Sequence, residues 1–534
     1  MAATGHRRLT GTLAWLERLA SRRLGAIVLF GLGLAVFALR AVAFPLKAGR
    51  DLDEYLYAYI QLFDSDVLLP WSMLFRTPVT PIVAGLALDI AGGAFAEPIA
   101  AVLFAGSIVA WSAAGLVLGP RVALLTAAAL LVYPGYGLMF HELASETVFA
   151  ASFAGCALLV ARAAARPSTG RFALVGLGIA VLALVRPGNA VLLAFAAFPL
   201  VLAGPWRDRV RWAGAVVLVA VLPLAAWTVH NGLRFDTWAL ARGGNAIVPF
   251  YRAFITDRII SPDNGEDSRR LARAMQESLL AREPYRSYGV TLEQLFNQGS
   301  FRVHEDLYIL SDQVFGWDSD YSILRRAGVE AVRAHPRIYA KGVLETTWDQ
   351  LSSPFFRVVA APREKPAADV PHTAQLPPPT EGEPIPAGQV VWISRPDQRI
   401  RQVWTSPTEW HFEFFDPTDK PRFEAIEHRR DDLLASFPER QGNASLGLRI
   451  NQLSRWFPRP WMWIAVGLIA IAVRRPRGSR MLIALSLSAL AVVCLNAFGL
   501  FADLHFMLPV APAFVLLAAG GLFSPRRAGS VARW

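Results

Sequence analysis

Five acids crowd a short stretch of this chain: Asp51, Asp53, Glu54, Asp64 and Asp66. The adjacent pair Asp53–Glu54 sits in Gly49-Arg-Asp-Leu-Asp-Glu-Tyr-Leu-Tyr57, a few residues beyond the first long apolar run. Neighbouring carboxylates in that position can accept a proton from a hydroxyl, or hold a cation, next to a substrate that arrives along a bilayer. The plainer alternative is a hydrated acidic loop. Tyr55, Tyr57 and Tyr59 alternate beside the acids and read as an interfacial aromatic belt.

A second group lies in Phe140-His-Glu-Leu-Ala-Ser-Glu146, between two apolar runs. It offers His141, Glu142 and Glu146. A carboxylate at the edge of hydrocarbon is costly unless paired or wet, although Glu146 after Ser145 also fits an acid at a helix N-terminus. Arg186, in Leu184-Val-Arg-Pro-Gly-Asn189, interrupts two further apolar runs. It calls for an anionic partner such as Asp53, Glu146 or a lipid phosphate, or else snorkels to headgroups. His505 stands in Asp503-Leu-His-Phe-Met-Leu-Pro509, before the last apolar run. His230-Asn231-Gly232 leads to Gly243-Gly-Asn245, a turn able to present backbone N–H groups to an anion, so Asn231 and Asn245 are weaker ligand-binding candidates along with His141.

These groups belong to a membrane protein. Of 534 residues, 54% are hydrophobic and 18% charged, against about 25% charged in a soluble protein, and many apolar runs reach the length of a span. The net charge of +11 is almost all arginine, clustered at the ends of those runs. That pattern signals topology and no nucleic-acid face. Cys156 and Cys494 lie inside apolar segments with no metal-ligand spacing. The basic N-terminus and first run read as a retained signal anchor. No His-Glu-x-x-His, Gly-x-Ser-x-Gly or phosphate-binding Gly-Lys-Ser/Thr motif occurs, against a membrane metalloprotease, a hydrolase elbow or an ATP-driven pump.

Apolar runs fall near 24–44, 78–95, 97–118, 122–140, 145–163, 172–186, 188–204, 212–230, 458–473, 481–500 and 506–523. Keeping the arginine clusters cytoplasmic requires that 78–95, with its Pro78, Pro81 and Asp89, does not cross. The expectation is an all-α polytopic protein of about ten spans, with 78–95 a juxtamembrane helix on the outer face. The divisions are a cytoplasmic basic N-terminus (1–23), a membrane module (24–230) with acidic outer loop 45–96, an outer, mostly helical domain (231–456), C-terminal spans (457–523) and a cytoplasmic basic tail (524–534). Within the outer domain, amphipathic patterns run over 266–283, 291–312 and 321–345, with a break at Pro336. The stretch 361–388 reads as a flexible Pro-rich loop, and 390–392 and 410–415 as short strands. Parity puts the acidic loop, 141–146, Arg186 and His505 on one, outer side.

In their order and shared side these motifs resemble the GT-C superfamily of membrane glycosyltransferases that use polyprenyl-phosphate sugars. The likeness is greatest to the bacterial branch of aminoarabinose and protein O-mannosyl transferases. Asp53-Glu54-Tyr55 and Thr77-Pro-Val-Thr-Pro81 match the family's first outer loop. Glu146 matches its second acidic loop, Leu184-Val-Arg186-Pro its basic turn, and Asp503–Pro509 its terminal segment. His505 stands where arginine is usual, and His230 where arginine often precedes Asn. The resemblance covers roughly 20–250 and 456–525. It implies inverting transfer of a sugar to a hydroxyl of an envelope glycan, lipid or protein, on the outer face of a bacterial plasma (inner) membrane. Asp53 would be the base, with Glu54 and Glu142 and Glu146 in support. Arg186 and His505 would hold the donor phosphate, and a divalent cation (Mg or Mn) could sit between Glu54 and Glu146. The alternatives are a flippase or transporter of a lipid-linked intermediate, a polysaccharide polymerase or ligase, and a structural subunit of an envelope complex.

Overall fold

A computed structural model describes residues 15–90, 93–281, 285–286, 289, 291–298, 301–353, 400–404, 410–437, 440–499 and 504–526. The stretches 361–388 and 390–392 lie outside the described residues. What is described is helical almost throughout. Five helices are long and apolar enough to cross a membrane: Arg23–Ala43, Ala96–Leu116, Ser145–Ala165, Trp206–Phe235 and Ser479–Gly499. Their outward faces are what lipid requires. The Trp206–Phe235 helix leaves Val217, Leu218, Val221 and Leu222 exposed, while Val216, Ala220 and Leu224 turn into the core.

Shorter apolar helices fill the gaps, and prolines explain several of their limits. The run 122–140 is divided: a helix covers Pro120–Val132, Tyr133 is extended, and a second short helix begins at Pro134. Proline lacks the N–H that would continue the ladder. The carbonyls freed by this break are taken by a buried cation, since Arg40 Nη2 of the first span donates to Leu131 O at 2.8 Å. The run 506–523 is likewise split into Leu504–Met507 and Pro512–Phe523. Pro187–Val201 is wound as a 3-10 helix of 15 residues. At about 2.0 Å per residue it is about 30 Å long, the thickness of a hydrocarbon core, where an α-helix of that length would fall short. The proline-rich segment after the acidic loop yields the helix Val79–Asp89, 11 residues and hence about 16 Å, too short to cross.

Two large hydrophobic cores result among the described residues, beside two small clusters. The larger runs through the apolar helices around Trp111, Phe104, Phe140, Phe149 and Phe172. The second belongs to the segment after the Trp206–Phe235 helix. It gathers Phe250 and Phe254 of a π-helix, Ile247–Thr256, with residues of Glu266–Ala274, Phe301–Phe315, Ser322–Ala334 and Pro336–Ser352. The break expected at Pro336 is there. The second core is seated on the end of the Ser479–Gly499 helix, where Arg252 Nη1 donates to Ala497 O at 2.8 Å and Tyr339 Oη to Phe498 O at 2.7 Å. Donors at the last carbonyls of a helix satisfy groups that have no partner within it. Beyond this domain, Ile400–Trp404 and Trp410–Phe414 pair antiparallel, and the helix Asp419–Ala435 packs back onto the acidic loop.

Candidate functional site

The acidic loop is brought to the second acidic segment by a two-residue parallel pairing, Lys47 opposite Glu142 and Ala48 opposite Leu143. Gly49 N then donates to Leu143 O at 3.1 Å. The approach is close enough that a Cβ on Gly49 would lie 2.9 Å from that carbonyl oxygen and against Ala144 Cβ, so the position suits glycine alone. Immediately beyond, Asp51 takes a left-handed conformation (φ 59°) and the helix Leu52–Gln61 starts. Both Asp53 and Glu54 lie in its first turn, where the helix dipole favours negative charge.

Neighbouring residues on an α-helix point about 100° apart, and that separates the two acids. Leu52, Tyr55 and Leu56 face inward. Glu54 is ion-paired with Arg76, whose Nη2 is also 3.6 Å from Asp51 and whose guanidinium lies 5.0 Å from the centre of the Tyr55 ring. These carboxylates hold the Arg76 pKa up against burial, which pulls it down. Asp53 instead shares a face with Tyr57 and is exposed, with no ion pair or hydrogen bond among the described residues. The tyrosines do not form a belt, because their spacing in a helix scatters them. Tyr55 is buried, and burial raises its pKa. Tyr57 meets Glu427 and Arg430 of the Asp419–Ala435 helix, while Tyr59 donates to Asp89 at 2.9 Å.

Arg186 is positioned by its neighbour. The residue before a proline is driven out of the helical region, so the helix Thr169–Val185 stops and Arg186 is extended (φ −145°, ψ 123°). Its guanidinium pairs with Glu146, and its Nε donates to Ser145 Oγ at 2.9 Å. The Glu146 side chain is only 7% exposed; a buried carboxylate of this kind needs its cation. Thr80 of the short helix Val79–Asp89 donates to Val185 O at 3.1 Å and fixes this turn against the acidic loop. His505 comes near enough to Glu146 to act on its charge. Tyr55 joins the two halves, with Arg76 on one side and Ser145, Glu146 and Arg186 on the other.

Other candidates are placed elsewhere or committed to structure. The Glu142 carboxylate is 3.0 Å from Lys47 Nζ. His141 is buried, stacked on Phe37 at 4.1 Å, and burial together with the nearby Arg40 charge lowers its pKa to about 3. Asn231 is fully buried and donates to Ala239 O at 3.0 Å, closing the turn after the long helix. The Asn245 side chain is outside the described residues. Glu54 and Glu146 each have a guanidinium partner, and among the described residues no group of three or more His, Cys, Asp or Glu is placed to hold a metal. The donors present therefore do not fit a divalent ion bridging these two acids.

No known protein family, curated protein or solved structure matches the chain. The site thus rests on its own geometry: two arginine–carboxylate pairs joined through one tyrosine, with an open carboxylate beside them. Arg76 and Ser145 are the members that motif reading passes over. Arg76 had a signal, because an arginine in a loop expected on the outer side breaks the charge asymmetry in the same way as Arg186.

Proposed function

We propose that this chain is a membrane glycosyltransferase, moving a sugar from a polyprenyl-phosphate donor to a hydroxyl of an envelope glycan, lipid or protein on the outer side of the plasma membrane. About ten crossings, as the apolar runs and the arginine clusters of the sequence imply, would put the site on that side. The observation that supports the reading best is the inequality of the two adjacent acids: Glu54 is bound to Arg76, and Asp53 is exposed with no partner among the described residues. A base must be free to meet its proton donor.

In this reading Asp53 takes the acceptor's proton as its oxygen attacks the anomeric carbon. The bond from that carbon to the phosphate oxygen breaks, and the phosphate leaves with the electron pair. The departing anion needs positive charge more than a proton; Arg76 can supply it by exchanging Glu54 for phosphate, and Arg186 can add N–H donors while it stays on Glu146. A single in-line displacement inverts the anomeric centre. The test supplies membranes containing the protein with a panel of radiolabelled polyprenyl-phosphate sugars and asks which macromolecule becomes labelled. Asp53→Asn is expected to lower transfer by about 10²–10⁴-fold. Undiminished transfer by correctly inserted Asp53→Asn protein would reject the base, and labelling by no donor of the panel would reject the activity.

A further inference from the structure

The loop that delivers Arg76 is held from outside the membrane module. At Leu74 the short helix Pro70–Leu74 ends, and its carbonyl accepts a hydrogen bond from Arg242 N at 2.7 Å. The next side chain, Phe75, enters the aromatic part of the second core, with its ring centre 5.5 Å from that of Tyr308 and 6.0 Å from that of Tyr321. The space Phe75 occupies is kept open by Gly243, where a Cβ would lie 2.8 Å from the ring and where φ is +94°. The wall of this socket is itself braced. Arg242 Nη2 is 2.5 Å from Asp312 Oδ1, Arg242 Nε donates to Tyr321 Oη at 3.1 Å, and Tyr321 Oη donates to Asp312 Oδ2 at 3.1 Å. One residue later the chain faces the other way, with Arg76 on Glu54 and over Tyr55.

We infer that Phe75 is a positioning residue through which the outer domain sets the place of Arg76 in the site. The socket of Tyr308, Tyr321, Arg242 and Gly243 grips Phe75, and the peptide bond between residues 75 and 76 passes that constraint to the guanidinium. This gives the outer domain a role in the site although none of its side chains among these touches Glu54 or Asp53. The placement of residue 76 is a matter of structure; only its consequence for transfer rests on the glycosyltransferase reading.

Two readouts separate these. In full-length protein lacking Cys494 (Cys494→Ala), Arg76→Cys adds a thiol whose reaction with a maleimide is followed by peptide mass spectrometry, while the buried Cys156 reports unfolding. Adding Phe75→Ala is expected to speed labelling at position 76 about tenfold, as local opening does, with Cys156 unchanged. Phe75→Leu, which keeps an apolar plug, should stay near the parent rate. Gly243→Ala, pressing on the ring from the socket side, should behave like Phe75→Ala. Unchanged labelling at position 76 in both Phe75→Ala and Gly243→Ala would overturn the inference, and so would a rise at Cys156 in parallel with every rise at position 76. In transfer assays Phe75→Ala and Arg76→Ala should each raise the donor KM about tenfold, and the double variant should be no worse than Arg76→Ala alone. Additive losses would show that Phe75 acts independently of Arg76. Should the parent transfer no sugar while labelling behaves as described, the functional reading fails and the positioning of Arg76 stands.

Discussion

Arginine meets carboxylate in two regions of this molecule, under opposite conditions. In the second core Arg242–Asp312 and Arg252–Asp257 are sealed, with side chains at most 6% exposed. Their remaining polar atoms are occupied as well: Arg252 holds Asp257 through two nitrogens and also bonds Thr346 Oγ1 and Ala497 O. In the membrane module Arg76–Glu54 is half open, 24% and 35% exposed, and Asp53 beside it has no partner among the described residues. A buried pair with every donor used is a fixed strut, since any change of partner would strand a charge. A half-open pair can trade its partner for a ligand at little cost. The difference sets the sealed pairs apart as architecture and leaves the half-open cluster able to meet a ligand.

The largest effect on stability should come from the sealed region. Asp312→Ala leaves the Arg242 guanidinium buried without its carboxylate and should destabilise the protein by about 3–5 kcal/mol, read as a lower midpoint of thermal unfolding in detergent. The double change Arg242→Met with Asp312→Leu removes both charges and should recover much of that loss. Failure to recover any would mean the pair does more than fill space, and would weaken the contrast.

Next in size is an acid sensitivity within the larger core. His141 is neutral in the fold down to about pH 3 because of burial and the Arg40 charge, whereas the unfolded imidazole titrates near 6.5. Between these values the unfolded state binds the extra proton, so stability is complete above about pH 6.5 and declines as pH falls. At pH 5 the loss should be about 2 kcal/mol. His141→Phe, which keeps the stack on Phe37, should flatten the curve between pH 7 and pH 5. A variant with the parent's slope would place the titrating group elsewhere.

Smaller still is the half-open pair. Glu54→Gln should cost at most about 1 kcal/mol, the range of partly exposed ion pairs, while changing how transfer depends on donor concentration. A stability loss as large as that of Asp312→Ala would move Glu54–Arg76 into the architectural class.

How much of this was legible in the residues differs between the regions for the same reason. Charge parity and proline positions are local signals, and they brought Glu54, Glu146, Arg186 and His505 to one neighbourhood and separated the helices at Pro336. Incompatibility with lipid called for a partner for Arg186 and named Glu146 as one of several, and the structure pairs the two. Arg76 escaped because its place is set by Phe75 in a socket whose walls come from a distant part of the chain. Asp312 and Arg252 escaped because, in a segment rich in charge, a buried ion carries no mark that distinguishes it from a solvated one. Apolar runs also cannot report winding, so nothing in 187–201 announces a 3-10 helix.

The smallest stability effect sharpens the comparison most. Asp53 is exposed and has no partner among the described residues, so Asp53→Asn should leave unfolding within about 0.5 kcal/mol of the parent. Like-charge repulsion from Glu54 and Asp51 is relieved, and a slight gain is as natural as a slight loss. Yet the same substitution is expected to cause the steepest fall in transfer. Structural residues lose both properties together; a residue held free for chemistry loses only one. Measured side by side on the same purified protein, unfolding and transfer therefore test the division directly. If Asp53→Asn destabilised the protein as Asp312→Ala does, the open carboxylate would be one more strut, and the base would have to be sought elsewhere on that face.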